Sequence, residues 1–170
     1  MYLNQRLDDQ PVETPIRTEL SKTPRSRQQF QPVLPLQSIE AFGVHIHRSI
    51  IRCHSAGKRP AVMLLAAEAL TAGGVARSEL LAALGARVRS RVRSTDLVVQ
   101  IGDRFGVYLD GDVASHTDAI HERLKLALLE EFGFGDVSLR IHPRFGVATH
   151  PGTPISGIDL VSAAAQGIAD

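Results

Sequence analysis

The 170-residue sequence predicts an α/β (α+β) domain, a central mixed, largely antiparallel sheet flanked by helices. Three observations lead there. Apolar residues recur at helical spacing in SIEAFGVHIHRSIIRCHSAGK (from Ser38) and in SELLAALGARVRSRVR (from Ser78). Between these helices, RPAVMLLAAEAL is a continuous apolar run of strand length, as expected of a strand buried on both faces. After them, Asp96 to Ile101 and Phe105 to Leu109 are apolar stretches around a Gly102-Asp103-Arg104 turn, a hairpin by length and chemistry.

Along the chain, residues 1–36 are rich in Pro, Gln, Arg, Ser and Thr and lack apolar periodicity. Such a segment cannot bury enough surface to offset its ordering entropy, so it reads as a flexible arm. It is either a dispensable tail or a partner-binding peptide, and Val33, Leu34 and Leu36 could cover part of the domain that follows from Gln37 to Asp170. In the first helix Ile39, Phe42, Ile46 and Ile50 share a face, with Ser38 as N-cap and Gly57 as the stop. TAGG breaks the chain after the first strand. In the second helix Leu80 or Leu81, Leu84, Val88 and Val92 recur every four residues. The segment SHTDAIHERLKLALLEEFGFG reads as a third helix with Ile120, Leu124 and Leu128 inward and Ser115 near its N-cap. VSLRIHPRFGVATHP holds one or two strands, and SGIDLVSAAAQGIA a last short helix. The resulting order is helix–strand–helix–hairpin–helix–strand–helix, without internal repeats.

Composition narrows the function classes. A net charge of +1 is too near neutral to argue for nucleic-acid binding by bulk electrostatics. Cys53 is the single cysteine, which suits a reducing compartment and a cytoplasmic location, and it reads as a buried structural thiol. No apolar run approaches the ~20 residues of a membrane span, and the N-terminus is not signal-like. His45 and His47 are two apart and point differently on a helix, and the other histidines have no metal-ligand spacing. Arg87, Arg89, Arg91 and Arg93 spread around a helix and read as a solvated face rather than a phosphate stripe. Phe132 and Phe134 flank Gly133 in a turn, as caps on the core.

The order and spacing of several motifs resemble the GGDEF domain, the catalytic module of diguanylate cyclases. GKRPAVMLL matches that family's basic-Pro entry into the first strand, and LLAALGARVRSRVRSTDL matches its long helix ending in Arg-x-x-Asp-Leu. QIGDRFGVYLDG stands where the family carries its signature hairpin. SLRIHPRFGVATHPG and DLVSAAAQGI resemble its later strand and closing helix. The resemblance implies a bacterial signalling protein with a fold related to the nucleotidyl-cyclase and polymerase palm.

The same resemblance implies that the chemistry is lost. Joining two GTP molecules requires divalent metal held by carboxylates beside the triphosphate. Where the family has an Asp-Leu-Asp segment, this chain reads Ala66-Ala67-Glu68, and its signature turn (Gly102, Asp103, Arg104, Phe105) is one residue short with Arg104 at the acidic position. TAGGVAR abbreviates the segment that reads substrate guanine. No catalytic residue, metal site or cofactor is therefore expected, and the chain is read as a non-enzyme.

What the resemblance retains is an inhibitory product site for cyclic di-GMP: Arg93 and Asp96 match its Arg-x-x-Asp, and Arg123 in HERLK matches its further arginine, with Arg89 and Arg91 nearby. An arginine can donate two parallel hydrogen bonds to guanine O6 and N7, and a carboxylate can accept from N1 and N2. A surface ion pair is the alternative role for Arg93 and Asp96. The expected function is a cyclic di-GMP receptor that regulates a partner protein in signalling, secretion or biofilm machinery. The alternative is a nucleotide-independent interaction module, forming dimers with itself or with a related protein.

Overall fold

The computed structural model describes residues 32–69 and 74–169. Residues 1–31, which carry most of the expected arm, and residues 70–73, which include most of the TAGG break, lie outside them.

The chain begins with a short strand, β1 (Leu34–Leu36), which pairs in parallel with β3 (Leu97–Ile101) at one edge of the main sheet. This strand falls in the stretch expected to be arm. Leu34 and Leu36 pack on the core, so the periodicity of three residues was too short to reveal it. The first helix, α1 (Ile39–Ser55), starts where expected, since the Ser38 hydroxyl accepts the Ala41 N–H at 3.1 Å. It ends just before Gly57, whose φ of +68° lies in the left-handed region.

Strand β2 (Ala61–Ala69) is an interior strand of the sheet, antiparallel to β4 (Arg104–Leu109) on one side and to β7 (Ile141–Thr149) on the other. The strand order is β1-β3-β4-β2-β7, and every pairing except β1 with β3 is antiparallel. The sheet has two covered faces. Ala61, Met63 and Leu65 point to one core, shared with Leu84 and Val88 of α2 (Arg77–Ser90) and Ile120, Leu124 and Leu128 of α3 (Thr117–Leu129). Val62 and Leu64 point to the other, shared with Phe42, Ile46 and Ile50 of α1 and Leu160, Val161 and Ala164 of α4 (Gly157–Ala169). The uninterrupted apolar run of β2 thus arises from alternation into two cores.

The second face is assembled by glycine. A Cβ on Gly146 of β7 would overlap the Ala164 carbonyl of α4, and one on Gly43 of α1 would come within 2.6 Å of the Ile158 Cα. Backbone packs on backbone at both places, so no larger residue fits.

Three details differ from the sequence expectation. Helix α2 stops at Ser90 rather than continuing to Arg93, because the following residues turn into the loop that enters β3. Ser115 does not cap α3. A 3-10 turn (Ala114–His116) precedes that helix, where the Ser115 hydroxyl meets His116 Nδ1 at 2.9 Å, and the Thr117 hydroxyl donates to the Val113 carbonyl. Helix α3 ends at Leu129, and the residues beyond form a small hairpin of β5 (Phe132–Phe134) and β6 (Val137–Leu139). Phe132 and Phe134 are therefore strand residues, Phe132 fully in the core; alternation within three residues left no helical or strand signal strong enough to read.

Candidate ligand-binding groove

The loop from Arg91 to Asp96 joins α2 to β3 and is held by two buried groups of opposite charge. Arg89 is only 5% exposed. Its guanidinium donates to the Asp96 carbonyl at 2.6 Å and to the Arg93 carbonyl. Burial lowers its pKa, with the nearby Asp96 opposing. Asp96 is 2% exposed, and its carboxylate accepts the Arg93 N–H at 2.8 Å and the Asp110 N–H at 3.2 Å. Burial is also the main influence on Asp96, pushing its carboxyl above the usual range against these hydrogen bonds.

The Arg-x-x-Asp sequence thus folds into a closed turn. Asp96 does not share an open surface with Arg93; it ties the loop to the end of β4. Of the four arginines expected to form a solvated face, Arg91 and Arg93 are exposed, but Arg87 is half-buried and Arg89 buried. Arg87 lies over the Phe132 ring, 3.5 Å from its centroid, and donates to the carbonyls of Ala127, Glu130 and Glu131. Those carbonyls close α3, where a cation is favoured by the helix dipole. Arg87 therefore sets the spacing of α2 and α3 by filling the last turn of α3.

Between the tethered loop and α3 lies an open groove of about 480 Å³. Arg91, Arg93 and Arg123 line it, together with His116, Ile120 and Asp112. All three arginines are exposed. Arg91 is 4.0 Å from Glu130, a weak surface pair, whereas Arg93 and Arg123 have no ion pair among the described residues. Arg91, Arg93 and Arg123 thus line one groove, and Asp96 is buried apart from it.

Asp112 and His116 were not singled out from the sequence as site residues, and Arg89, expected near the site, is instead a buried group that holds the loop. The available signal for Asp112 was the acidic pair Asp110-Gly111-Asp112 directly after an apolar strand, which places carboxylates at the sheet end beside the arginine loop.

The signature turn is a two-residue connection, since Ile101 pairs with Arg104 across it. Gly102 has φ +58° and Asp103 does not have positive φ, the sign pattern of a type II′ turn. Phe105 is buried against α2, where a Cβ on Gly85 would sit 3.0 Å from its ring. Asp103 is exposed and bound through both carboxylate oxygens by Arg77, which holds its carboxyl below the usual range. Glu68 pairs with Arg144 at 3.5 Å, also at the surface. Arg104 sits opposite Ala66 in the β2–β4 register.

A hard divalent cation takes oxygen ligands, mostly carboxylates. Here the two carboxylates of this end of the sheet are each bound to an arginine, and a third arginine stands on the turn. Among the described residues no three His, Cys, Asp or Glu side chains gather closely enough to hold a metal. The residues present do not fit the metal that the resemblance to cyclases implies.

Elsewhere, Cys53 is buried as expected. Its thiol donates to Asp110 Oδ1 at 3.2 Å and lies 3.6 Å from the Tyr108 hydroxyl, which also donates to Asp110. Burial pushes the Tyr108 phenol far above its ordinary range. His47 accepts the Gly157 N–H at the start of α4, and His150 is packed 5.2 Å from His54. No helix among the described residues is long and apolar enough to cross a membrane.

The chain matches no protein-family model, and no curated protein resembles it in sequence. Solved structures do resemble it. The isolated GGDEF domain of YfiN from Pseudomonas aeruginosa superposes with a TM-score of 0.68 at 20% identity, over 83% of this chain and 85% of that one. The GGDEF domain of FimX from the same organism gives 0.69 at 15% identity, over 84% and 90%. This chain has the GGDEF fold. A further GGDEF structure, DgcB of Caulobacter crescentus in complex with c-di-GMP, matches with a TM-score of 0.61 at 12% identity, over 76% and 73%. The hairpin that the sequence resemblance identified with the family's signature is β3–β4, and its two turn residues are Gly102 and Asp103.

Proposed function

We propose that this GGDEF-fold domain is a non-catalytic receptor that holds cyclic di-GMP in the groove of Arg91, Arg93 and Arg123 and passes binding on to a partner protein. One observation carries the reading: three guanidiniums, two of them without ion pairs among the described residues, converge on one open groove. A bis-phosphate ligand with two purine edges uses such groups well, because a guanidinium can take a phosphate or the O6 and N7 of a guanine in a forked pair of bonds. The bound c-di-GMP of the DgcB structure and the activator protein bound to the similar cyclase SiaD support a nucleotide ligand and a protein partner, respectively.

The non-catalytic part of the reading rests on Arg104 and on the arginine pairing of Glu68 and Asp103. Phosphoryl transfer from GTP would need carboxylates free to hold metal at this end of the sheet. Asp96 enters this proposal as a positioning residue, since its carboxylate is committed to the loop backbone.

The test is calorimetric titration of cyclic di-GMP into the full chain and into Arg93→Ala and Arg123→Ala. Micromolar or tighter binding, about −8 kcal/mol or better, that weakens at least tenfold in either variant is expected. Incubation with GTP and magnesium or manganese is expected to form no cyclic di-GMP, and product formation would refute the non-catalytic reading. If the folded wild type takes up no ligand, the receptor reading falls. A nucleotide-independent interaction module then replaces it, for which Leu126 and Leu129 on α3, 63% and 44% exposed, offer contact surface.

A further inference from the structure

A guanine presents N1–H and N2–H₂ donors on its Watson–Crick edge, and a carboxylate is the side chain that accepts from both. Asp96 cannot serve, being buried with both oxygens on backbone N–H groups. Asp112 is the one carboxylate among the residues lining the arginine groove. It is exposed, and it is also fixed in place. Its Oδ1 accepts the Arg59 N–H at 3.2 Å, while the next residue, Val113, donates its N–H to the Arg59 carbonyl at 3.1 Å. This reciprocal pair anchors the Asp112 loop to the entry of β2, so the carboxylate stands on a rigid element rather than on a free loop. Asp112 belongs to the loop after β4, and Arg91, Arg93 and Arg123 to the α2–β3 loop and α3, so the groove has its acceptor and its donors on different elements.

We propose that Asp112 is the base-reading residue of this groove: it accepts from N1 and N2 of a guanine, while Arg91, Arg93 and Arg123 take the phosphates. The specificity for guanine over adenine then resides in a residue sixteen positions after Asp96 in the chain, outside the Arg-x-x-Asp segment. An adenine has an acceptor at N1 and no N2 amine, so beside Asp112 it brings a lone pair against a carboxylate. This inference rests on the receptor reading above and adds to it the source of base selectivity.

The experiment titrates cyclic di-GMP and cyclic di-AMP separately into the full-length wild type and into Asp112→Asn. Asparagine keeps an oxygen for the Arg59 N–H but replaces the second acceptor with an amine. The wild type is expected to prefer cyclic di-GMP by about tenfold or more, the discrimination of one good bidentate contact. In Asp112→Asn that preference is expected to collapse towards equality, while cyclic di-AMP binds as well as or better than before because a negative charge has left an arginine-lined groove. Two results would overturn the assignment while leaving a nucleotide receptor standing: equal affinity of the wild type for the two dinucleotides, or a preference that survives in Asp112→Asn. Failure of the wild type to bind either dinucleotide would overturn the assignment together with the receptor reading. Unchanged thermal unfolding of the variant separates lost contacts from lost fold.

Discussion

Replacing Asp96 with alanine removes the acceptor of two backbone N–H groups, those of Arg93 at 2.8 Å and Asp110 at 3.2 Å. A hydrogen bond to a charged group is worth about 1.5–3 kcal/mol when one partner is deleted, so the two together set a ceiling of about 3–6 kcal/mol. Part of that is returned, because burial works against the ionised carboxyl and its removal ends this cost. Arg89 opposes the return, since its buried guanidinium loses the nearest negative charge while its bonds to the Asp96 and Arg93 carbonyls remain possible. The expected net loss is about 2–4 kcal/mol. With a urea slope of about 2 kcal/mol/M for a domain of this size, the unfolding midpoint should fall by about 1–2 M. Circular dichroism at 222 nm across a urea series reads this directly. Asp103→Ala is the control: it also removes a hydrogen-bonded carboxylate, but an exposed one held by the Arg77 guanidinium, and its midpoint should move far less. If Asp96→Ala shifted the midpoint no more than Asp103→Ala, Asp96 would be a surface group available to ligand, and its assignment as the tether of the loop would be wrong.

Two further outcomes follow from the packing. Gly146→Ala should destabilise by about 1–3 kcal/mol or more, because the new methyl would overlap the Ala164 carbonyl and push α4 off β7; differential scanning calorimetry measures it, and an unchanged transition would contradict the close approach. His150 is buried, one ring nitrogen accepts the Gly152 N–H and the other has no partner among the described residues, and burial, followed by His54 and Arg59, lowers its pKa. A depressed folded pKa means that the unfolded chain binds the proton more readily, so stability is full above pH ~6.5 and is lost as pH falls below it. His150→Asn, which keeps an acceptor for Gly152, should flatten the wild type's decline between pH 7 and 5; an equal slope in both proteins would remove His150 as its source.

Much of the fold was legible in the sequence because it rests on local periodicity. Phe42, Ile46 and Ile50, or Leu84 and Val88, must face one way on a helix, and the Gly102-Asp103 turn must fold back whatever surrounds it. Short elements were not legible: β1 and the β5–β6 hairpin have three residues per strand, and partners far along the chain make them strands. The site divides in the same way. Arg93 and Arg123 were singled out because they match positions of a family motif, yet that match could not tell which charges would be solvated. Asp96 is buried because the end of β4 brings the Asp110 N–H to it across fourteen residues, and Arg89 is buried because the loop turns two carbonyls back onto it. The sequence alone determined the long helices and strands, the Gly102-Asp103 turn, and that a cluster of arginines lies at the end of α2 and just beyond it. Only the tertiary structure decided which of those charges hold the loop and which face the groove, because the burial of a charge depends on the backbone donors and acceptors that distant segments bring to it, and no local pattern encodes them.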